Sequence, residues 1–253
     1  MKEHKLYILA LKPGHTIPEL LFSLRSHSIT PLVRAKVLRW IILPVKQSST
    51  PLLAHNTHWG LLLILDGSVT FPPAVDSQIS ASWTADCSFP SSMVDGYASR
   101  TADLMQAAKS SPVPSPGSSR MSTELCTWAS RLPASARTHP IAMLNLLAFN
   151  QGRREQYAQY GKAFSAKVAP KYGSAPRLMG SVVGGEARDE GWDQALLVHY
   201  PSLYHFAAMA GDDEYLEINR MHRLGALRDT AILCVMEIDE RGDPVGGERQ
   251  PRL

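Results

Sequence analysis

Hydrophobic and polar positions between residues 141 and 238 change period along the chain, and each change marks the border of a predicted element. Four segments have the short apolar runs of β-strands: IAMLNLLAF, RLMGSVVGG, QALLVHYP and TAILCVMEI. Two longer segments have helical character: REQYAQYGKAFSAKVAPKYG and SLYHFAAMAGDDEYLEINRMHRLGAL. The order β-α-β-β-α-β predicts a ferredoxin-like unit. Such a sheet carries helices on one face and needs a partner for its other apolar face.

The first half of the chain shows a weaker form of the same order. Strands are expected at HKLYILAL, LVRAKVLRWIILP and HWGLLLILDG. Thr16 and Glu19 have the spacing of a capping box for a short helix, IPELLFSLRSH. We interpret AVDSQISASWTADC and SSMVDGYASRTADLMQAA as further helical segments. The repeated order suggests a tandem duplication.

A stretch of serine, proline and glycine, SSPVPSPGSS, separates the two halves and has the composition of an exposed linker. We therefore expect a diverged ferredoxin-like half at 1–108, a linker at 109–121 and a second ferredoxin-like half at 122–253. The predicted fold class is α+β, with the bare faces of the two sheets packed together as a fused dimeric α/β barrel. The chain would be an intramolecular pseudo-dimer, and the sequence leaves open whether it pairs again as a homodimer.

Composition excludes several functional classes. The formal net charge of +3 without a long basic run argues against nucleic-acid binding. Three widely spaced cysteines (Cys87, Cys126 and Cys234) lack metal-site spacing and are expected to be buried, reduced thiols. No apolar run reaches the ~18 residues of a membrane span. The N-terminal segment MKEHKLYILALKPG is interpreted as a first strand and not as a signal peptide, so we expect a cytoplasmic protein that does not bind membranes.

Several motifs of the second half resemble the DUF1330 family of the dimeric α/β-barrel superfamily. These are MLNLLAF (143–149), REQYAQYG (154–161), WDQALLVHYPS (192–202), the helix with Phe206, Met209, Asp213 and Tyr215, and HRLGALRD (222–229). The resemblance covers roughly residues 140–238 and implies a barrel fold. The two-part layout with its linker also looks like a group of fungal proteins that fuse a diverged half to this domain. Related barrels include cofactor-free monooxygenases, isomerases, haem-degrading enzymes and polyketide cyclases.

Three residues are candidates for catalysis. His199 ends a predicted strand, and a neutral histidine there would act as a general acid or base. Asn145 interrupts an apolar strand and would hold a substrate carbonyl or an enolate oxygen. His222 lies near the end of the last helical stretch and is a further pocket candidate. Each has a purely structural alternative, because a buried histidine or amide also serves as a hydrogen-bonded core residue.

The candidates for substrate binding come from both halves. Tyr157 and Tyr160 are three residues apart on one helical face, where they form either a core stripe or a source of pocket hydroxyls. The other candidates are Tyr200, Trp192, Arg39, Trp40 and His58. Of these, Arg39 and His58 would suit an anionic or phenolic substrate. We expect the adjacent Arg228 and Asp229 to form surface ion pairs.

No cofactor or metal is expected. The chain has no GxGxxG after a strand, no Walker loop, no HExxH and no GxSxG. The spacing His55-x-x-His58 has no third ligand nearby. The leading hypothesis is a cofactor-independent enzyme with isomerase, cyclase or decarboxylase chemistry, acting on a hydrophobic polyketide-like or aromatic substrate of fungal secondary metabolism. The alternatives are a cofactor-free oxygenase of a phenol and a non-catalytic ligand-binding or stress-related barrel.

Overall fold

A computed structural model describes residues 1–47, 50–53, 55–115 and 121–245. The strands are β1 (Lys2–Leu11), β2 (Val33–Ile42), β3 (Leu61–Asp66), β4 (Ile79–Phe89), β5 (Ile141–Phe149), β6 (Ala175–Gly184), β7 (Gln194–Tyr200) and β8 (Leu227–Glu237). The helices before β5 are α1 (Ile17–Ser26), α2 (Thr50–Leu53), α3 (Pro73–Asp76), α4 (Ser91–Asp95), α5 (Tyr97–Ser110), α6 (Thr123–Arg131) and α7 (Ala134–Thr138). Those after β5 are α8 (Arg154–Lys167), α9 (Ala169–Tyr172), α10 (Gly185–Asp189), α11 (Leu203–Ala210), α12 (Asp213–Ile218) and the π-helical segment Asn219–Arg223.

The eight strands form one closed antiparallel barrel in the order β1-β3-β2-β8-β5-β7-β6-β4. The strands of the first half are neighbours in the order β4-β1-β3-β2, and those of the second half follow as β8-β5-β7-β6. Two strand pairs, β2 with β8 and β4 with β6, join the halves. The chain therefore has mixed helix and strand content around a closed barrel, as expected for the α+β class.

Alternating side chains of the strands fill the barrel interior. On β8, Ala231, Leu233 and Val235 point inward and are fully buried, while Ile232 and Cys234 belong to the opposite, outer face. The same alternation on all eight strands creates one interior cluster with members from both halves. An eight-stranded barrel is just wide enough for its side chains to fill the lumen, and here they do so.

The outer layer of helices differs between the halves. In the second half, α11 and α12 contribute Phe206 and Ile218 to a cluster with Met143 and Ile232 on the outer face of the sheet. In the first half, α1 provides most of the cover through Leu20 and neighbouring leucines. The predicted capping box of α1 is present, with Thr16 and Glu19 bonded reciprocally.

The prediction of helix across AVDSQISASWTADC was wrong. Only Pro73–Asp76 is helical, and Ile79–Phe89 is the longest strand of the first half. This strand pairs with β1 along nearly its whole length and places Trp83 and Phe89 inside the barrel. The helix propensity of its alanine residues is a weak preference, which the ladder with β1 overrides.

The segment expected to be a linker begins inside a helix, because α5 continues to Ser110. Residues 116–120 lie outside the described residues, and Met121 is already buried in the outer cluster of the second half. The three cysteines are free thiols, and two of them are buried. Among the described residues, no helix combines the length and apolar character needed to cross a bilayer.

Candidate functional site

A buried arginine organises the outer layer of the second half. Arg223 ends the π-helical segment and is only 6% exposed. Its guanidinium donates to Asn219 Oδ1 at 3.5 Å and to Thr230 Oγ1 at 3.2 Å, and it also donates to the Tyr157 hydroxyl. Within the described residues, no carboxylate lies within ion-pair distance of Arg223. A buried cation with only neutral partners is unusual, because burial of a charge normally requires an opposite charge.

Four tyrosines lie around this guanidinium and influence its charge: Tyr157, Tyr160, Tyr200 and Tyr215. We name these four residues and Arg223 the tyrosine–arginine cluster. The rings of Tyr157 and Tyr160 are 5.3 Å apart, and Tyr160 stacks on Phe164 at 5.8 Å. Burial raises the pKa of Tyr157, although Arg223 partly offsets it. Burial likewise raises the pKa of Tyr160 and Tyr200, so these hydroxyls stay protonated and can donate hydrogen bonds.

Asn145 lies on the same outer face of the sheet as the cluster. Its amide donates to the Met143 carbonyl at 3.0 Å and the Leu196 carbonyl at 3.5 Å, within and beside its own strand. His222 precedes Arg223 in the π-helical segment and is half-buried. The structure thus brings five predicted site residues into one layer: Asn145, Tyr157, Tyr160, Tyr200 and His222.

His199 faces away from that layer. Its register neighbours on β5 and β6 are Ala142 and Ala175, and it shares the inward phase of β7 with Ala195 and Leu197. It is 1% exposed, and its Nδ1 has no hydrogen-bond partner. Burial, assisted by the positive charge of Arg177, lowers the pKa of His199 to about 3. The ring is therefore neutral and a weak base.

A buried ion pair at the same end of the barrel was not predicted from the sequence. Arg177 Nη2 lies 2.7 Å from Glu237 Oε1, and both side chains are less than 10% exposed. Tyr97 donates to Glu237, and the Arg177 guanidinium lies 4.7 Å from the centre of the Tyr97 ring. Glu237 continues the inward phase of Val235 on β8. A charged residue at an inward strand position is the sequence signal that pointed to this network.

The opposite end of the barrel holds Trp192. This side chain is fully buried and donates from Nε1 to Glu190 Oε2 at 3.0 Å, while Trp83 donates to Glu190 Oε1 at 3.2 Å. Burial raises the pKa of Glu190, although the two indoles offset part of the effect. Trp192 precedes β7, and its indole seals one end of the barrel far along the strands from His199.

The candidates of the first half do not converge. Arg39 donates to Glu124 Oε1 at 2.9 Å and covers the Trp128 ring at 4.9 Å, which ties β2 to α6. Trp40 is partly buried against the interior cluster. His58 is exposed in the segment before β3. These three residues therefore form no common site with the second half's candidates.

The expectation of surface ion pairs at Arg228 and Asp229 was wrong. Asp229 is nearly buried, and its carboxylate accepts backbone N–H groups of Val45, Lys46 and Gln47. Arg228 donates to the Gly191 carbonyl at 2.9 Å and to the side chain of Gln47. Backbone donors replace a cation because the segment after β2 passes directly over the start of β8.

Comparisons with known proteins assign no family. No family model matches the chain, and no curated protein matches it significantly. Among solved structures, the RPA0582 protein of unknown function from Rhodopseudomonas palustris is 28% identical, over 45% of this chain and 91% of that chain, with a TM-score of 0.36. Methylated RPA0582 protein is also 28% identical, over 47% of this chain and 94% of that chain, with a TM-score of 0.35.

Proposed function

We propose that the protein is a cofactor-independent enzyme that moves protons on a hydrophobic small molecule, and that its active site is the tyrosine–arginine cluster. The observation that carries the proposal is the burial of Arg223 without a carboxylate partner among the described residues. Such a cation is ready to stabilise negative charge that develops on a substrate, which is often the largest single contribution to catalysis.

The cluster supplies the groups that an enolising reaction needs. A base removes a proton from the carbon next to a substrate carbonyl, and the electron pair of that C–H bond moves to form an enolate. Arg223 and the protonated Tyr157 would hold the enolate oxygen. His222, the half-buried imidazole beside Arg223 in sequence, is the proposed base. Return of the proton to another carbon gives an isomer, and attack of the enolate on a second carbonyl gives a ring.

His199 takes no part in this proposal, although the sequence made it the first candidate. It lies on the inner side of the sheet, whereas Asn145 and the tyrosines lie on the outer side. A pKa of about 3 also places its basicity far from the neutral range that favours proton transfer. Asn145 remains a candidate neighbour of the substrate.

Exposed apolar residues near Arg223 support a hydrophobic substrate. Leu216, Met221 and Leu224 are 48%, 46% and 59% exposed, on α12, in the π-helical segment and directly after it. Large apolar side chains on one short stretch favour contact with an apolar molecule. The proposed substrate therefore joins an apolar body to a carbonyl or enolised dicarbonyl group, as in polyketide-like and aromatic compounds.

We further propose that the two halves are ferredoxin-like units of a fused pseudo-dimer, the second of them DUF1330-like. The strand orders β4-β1-β3-β2 and β8-β5-β7-β6 support this idea, because each places the first strand of its half beside the last and the third. The thinner helical layer of the first half fits a half that serves as scaffold, with chemistry in the second.

Proton exchange in a panel of model compounds tests the proposed activity. Hydrophobic 1,3-dicarbonyl compounds are incubated in D₂O, and loss of the α-proton signal is followed by NMR. We expect the wild-type protein to accelerate exchange at least tenfold over buffer for some members of the panel. Arg223→Met should abolish the acceleration, and Tyr157→Phe should reduce it.

Arg220→Met is the matched control. Arg220 lies three residues earlier on the same segment but is exposed and paired with Glu217 at 2.7 Å. It should exchange protons like the wild type. Equal rates for wild type and Arg223→Met across the whole panel would overturn the proposal.

The packed barrel interior favours a second candidate, a non-catalytic ligand-binding protein. This candidate predicts that a dicarbonyl or phenol binds the tyrosine–arginine cluster without any change in its exchange rate. Titration of the tyrosine fluorescence in the same samples separates the two candidates, since a binder shows saturation and no turnover.

A further inference from the structure

Buried nitrogen atoms without hydrogen-bond partners gather at one end of the barrel. Four such atoms are His4 Nδ1, Arg100 Nε, Arg177 Nε and His199 Nδ1. His4 lies near the start of β1, while His199 ends β7 and Arg177 lies near the start of β6. The antiparallel pairings of the barrel place these strand ends together. Buried polar groups in proteins nearly always have partners, so this concentration indicates a missing one.

The charges at this end are unbalanced. Arg177 is paired with Glu237 at 2.7 Å. Arg100 donates instead to the backbone carbonyls of Met93 and Arg177, at 2.6 and 3.4 Å. No carboxylate of the described residues lies within ion-pair distance of Arg100. Two guanidinium groups therefore share one carboxylate, and the site has an excess of positive charge and of hydrogen-bond donors.

A strand irregularity creates this arrangement. The register between β6 and β7 shifts between Pro176 and Leu178, and Arg177 and Leu178 are buried in succession where strict alternation would expose one of them. Bulges of this kind redirect side chains and occur often beside functional sites. Here the shift turns an arginine into the barrel, where burial of a charge is unfavourable unless something compensates it.

Helices α4 and α5 close this end of the barrel. Met93 on α4 packs against the interior cluster, and Tyr97 on α5 is a buried member of it. Thr101 on α5 bonds to Arg177. Because packed side chains enclose the unpaired nitrogens, a ligand that reaches them has only a few atoms and is not a polycyclic molecule.

We propose that this end of the barrel binds a small carboxylate such as formate or acetate. A carboxylate offers only acceptors, which is what the Nε–H groups of Arg100 and Arg177 lack, and it can also accept from an imidazole N–H. It would balance the second guanidinium. The site lies on the inner side of the sheet and is independent of the tyrosine–arginine cluster.

Thermal unfolding at constant ionic strength tests the proposal. Sodium chloride is replaced stepwise by sodium formate or acetate, and Tm is expected to rise and saturate for the wild type, because a ligand of the folded state stabilises it. Line broadening of ¹³C-labelled formate gives the dissociation constant directly. Arg100→Met should weaken binding at least tenfold. Arg223→Met, on the other side of the sheet, should bind as the wild type does.

Two results would overturn the proposal. One is the absence of saturable binding of formate and acetate to the wild type. The other is binding that Arg100→Met leaves unchanged. Equal saturation by chloride or phosphate would contradict the carboxylate assignment. Because Arg100 is half-buried and keeps no ion pair among the described residues, its replacement should leave the fold intact, and circular dichroism checks this.

Discussion

At the scale of single residues, two buried arginines define the chemistry of this protein. Arg177 has a carboxylate partner, Glu237, inside the barrel. Arg223 has only neutral partners among the described residues, on the outer side of the sheet. A buried ion pair contributes little net stability, and a buried cation without a counter-charge should be destabilising. Its presence is therefore more readily explained by function than by folding.

Replacement of Arg223 should separate stability from activity. We expect Arg223→Met to keep the wild-type free energy of unfolding or exceed it, because methionine fills similar volume without a charge to bury. Urea unfolding at pH 7 measures this. A loss of about 3 kcal/mol or more, the size expected when a buried pair is broken, would show instead that Arg223 is a structural residue.

His199 should make the protein less stable in acid. Its pKa is about 3 in the folded protein and 6.5 in the unfolded chain, because burial and the charge of Arg177 oppose protonation. Below pH 6.5 the unfolded chain binds a proton that the folded chain excludes until about pH 3. The stability contribution is therefore complete above pH 6.5 and falls by about 2 kcal/mol from pH 7 to pH 5.

Comparison with His199→Leu isolates this contribution from that of other titrating groups. The pKa of His205 is also lowered by burial, so the wild-type slope alone is not specific. Urea unfolding at pH 7 and pH 5 should show a smaller loss for His199→Leu than for the wild type, by about 2 kcal/mol. Identical losses would mean that the folded protein accepts a proton on His199 near neutral pH.

The sequence identified the right residue types but not the side of the sheet on which they lie. Alternation along β5 and β7 separates Asn145 from its inward neighbours and places His199 in the opposite layer. That separation follows from the absolute phase of each strand, which one sequence does not define. Arg177 was not predicted because the bulge that turns it inward has no recognisable local pattern.

At the scale of elements, β4 shows why helix was predicted and why strand formed. Ile79, Ala81, Trp83, Ala85 and Cys87 alternate with polar residues, a period of two. The alanine and aspartate content favoured helix, yet the alternation was present in the sequence. The strands of the second half were predicted correctly, because long runs of leucine and valine leave less choice between periods.

The contact between β4 and β6 depends on a glycine. A Cβ atom on Gly180 would lie 2.5 Å from Phe89 Cδ1 and 2.6 Å from the Ser88 carbonyl oxygen. Gly180→Ala should therefore destabilise the barrel by about 1–3 kcal/mol through overpacking. Gly161→Ala in α8 is the control, since no atom lies within 4 Å of its added Cβ, and it should stabilise by up to about 1 kcal/mol. Chemical unfolding measures both, and equal effects would argue against close packing at Gly180.

Asp229 should fix the segment after β2. Its carboxylate accepts from the backbone of Val45, Lys46 and Gln47, and these bonds outweigh burial and lower its pKa. Asp229→Ala should cost about 1–3 kcal/mol by leaving these donors unpaired. It should also speed hydrogen exchange of the three amides, which mass spectrometry or NMR detects. Asp229→Asn retains one acceptor and should fall between the two, whereas unchanged exchange in Asp229→Ala would disprove the anchoring role.

At the scale of the whole molecule, the barrel exists only when both halves are present. Each half contributes four strands, and the interior cluster draws side chains such as Leu62 and Leu233 from opposite halves. Two strand pairs and one apolar interior thus hold the halves together without a covalent need for the connection. The closed barrel was predictable because each half alone leaves an apolar sheet face uncovered.

Cleavage of the connection should therefore leave the barrel intact. A protease site inserted between Ser115 and Met121 would be cut in the folded protein, and the fragments should migrate together at the size of the uncut chain in gel filtration. Either fragment produced alone should aggregate or remain unfolded, because its half of the interior would face water. Mixing the denatured fragments and removing the denaturant should restore the native spectrum. Independent folding of one fragment as a soluble monomer would show that its sheet face is covered by its own residues, and that the interior is not the force that joins the halves.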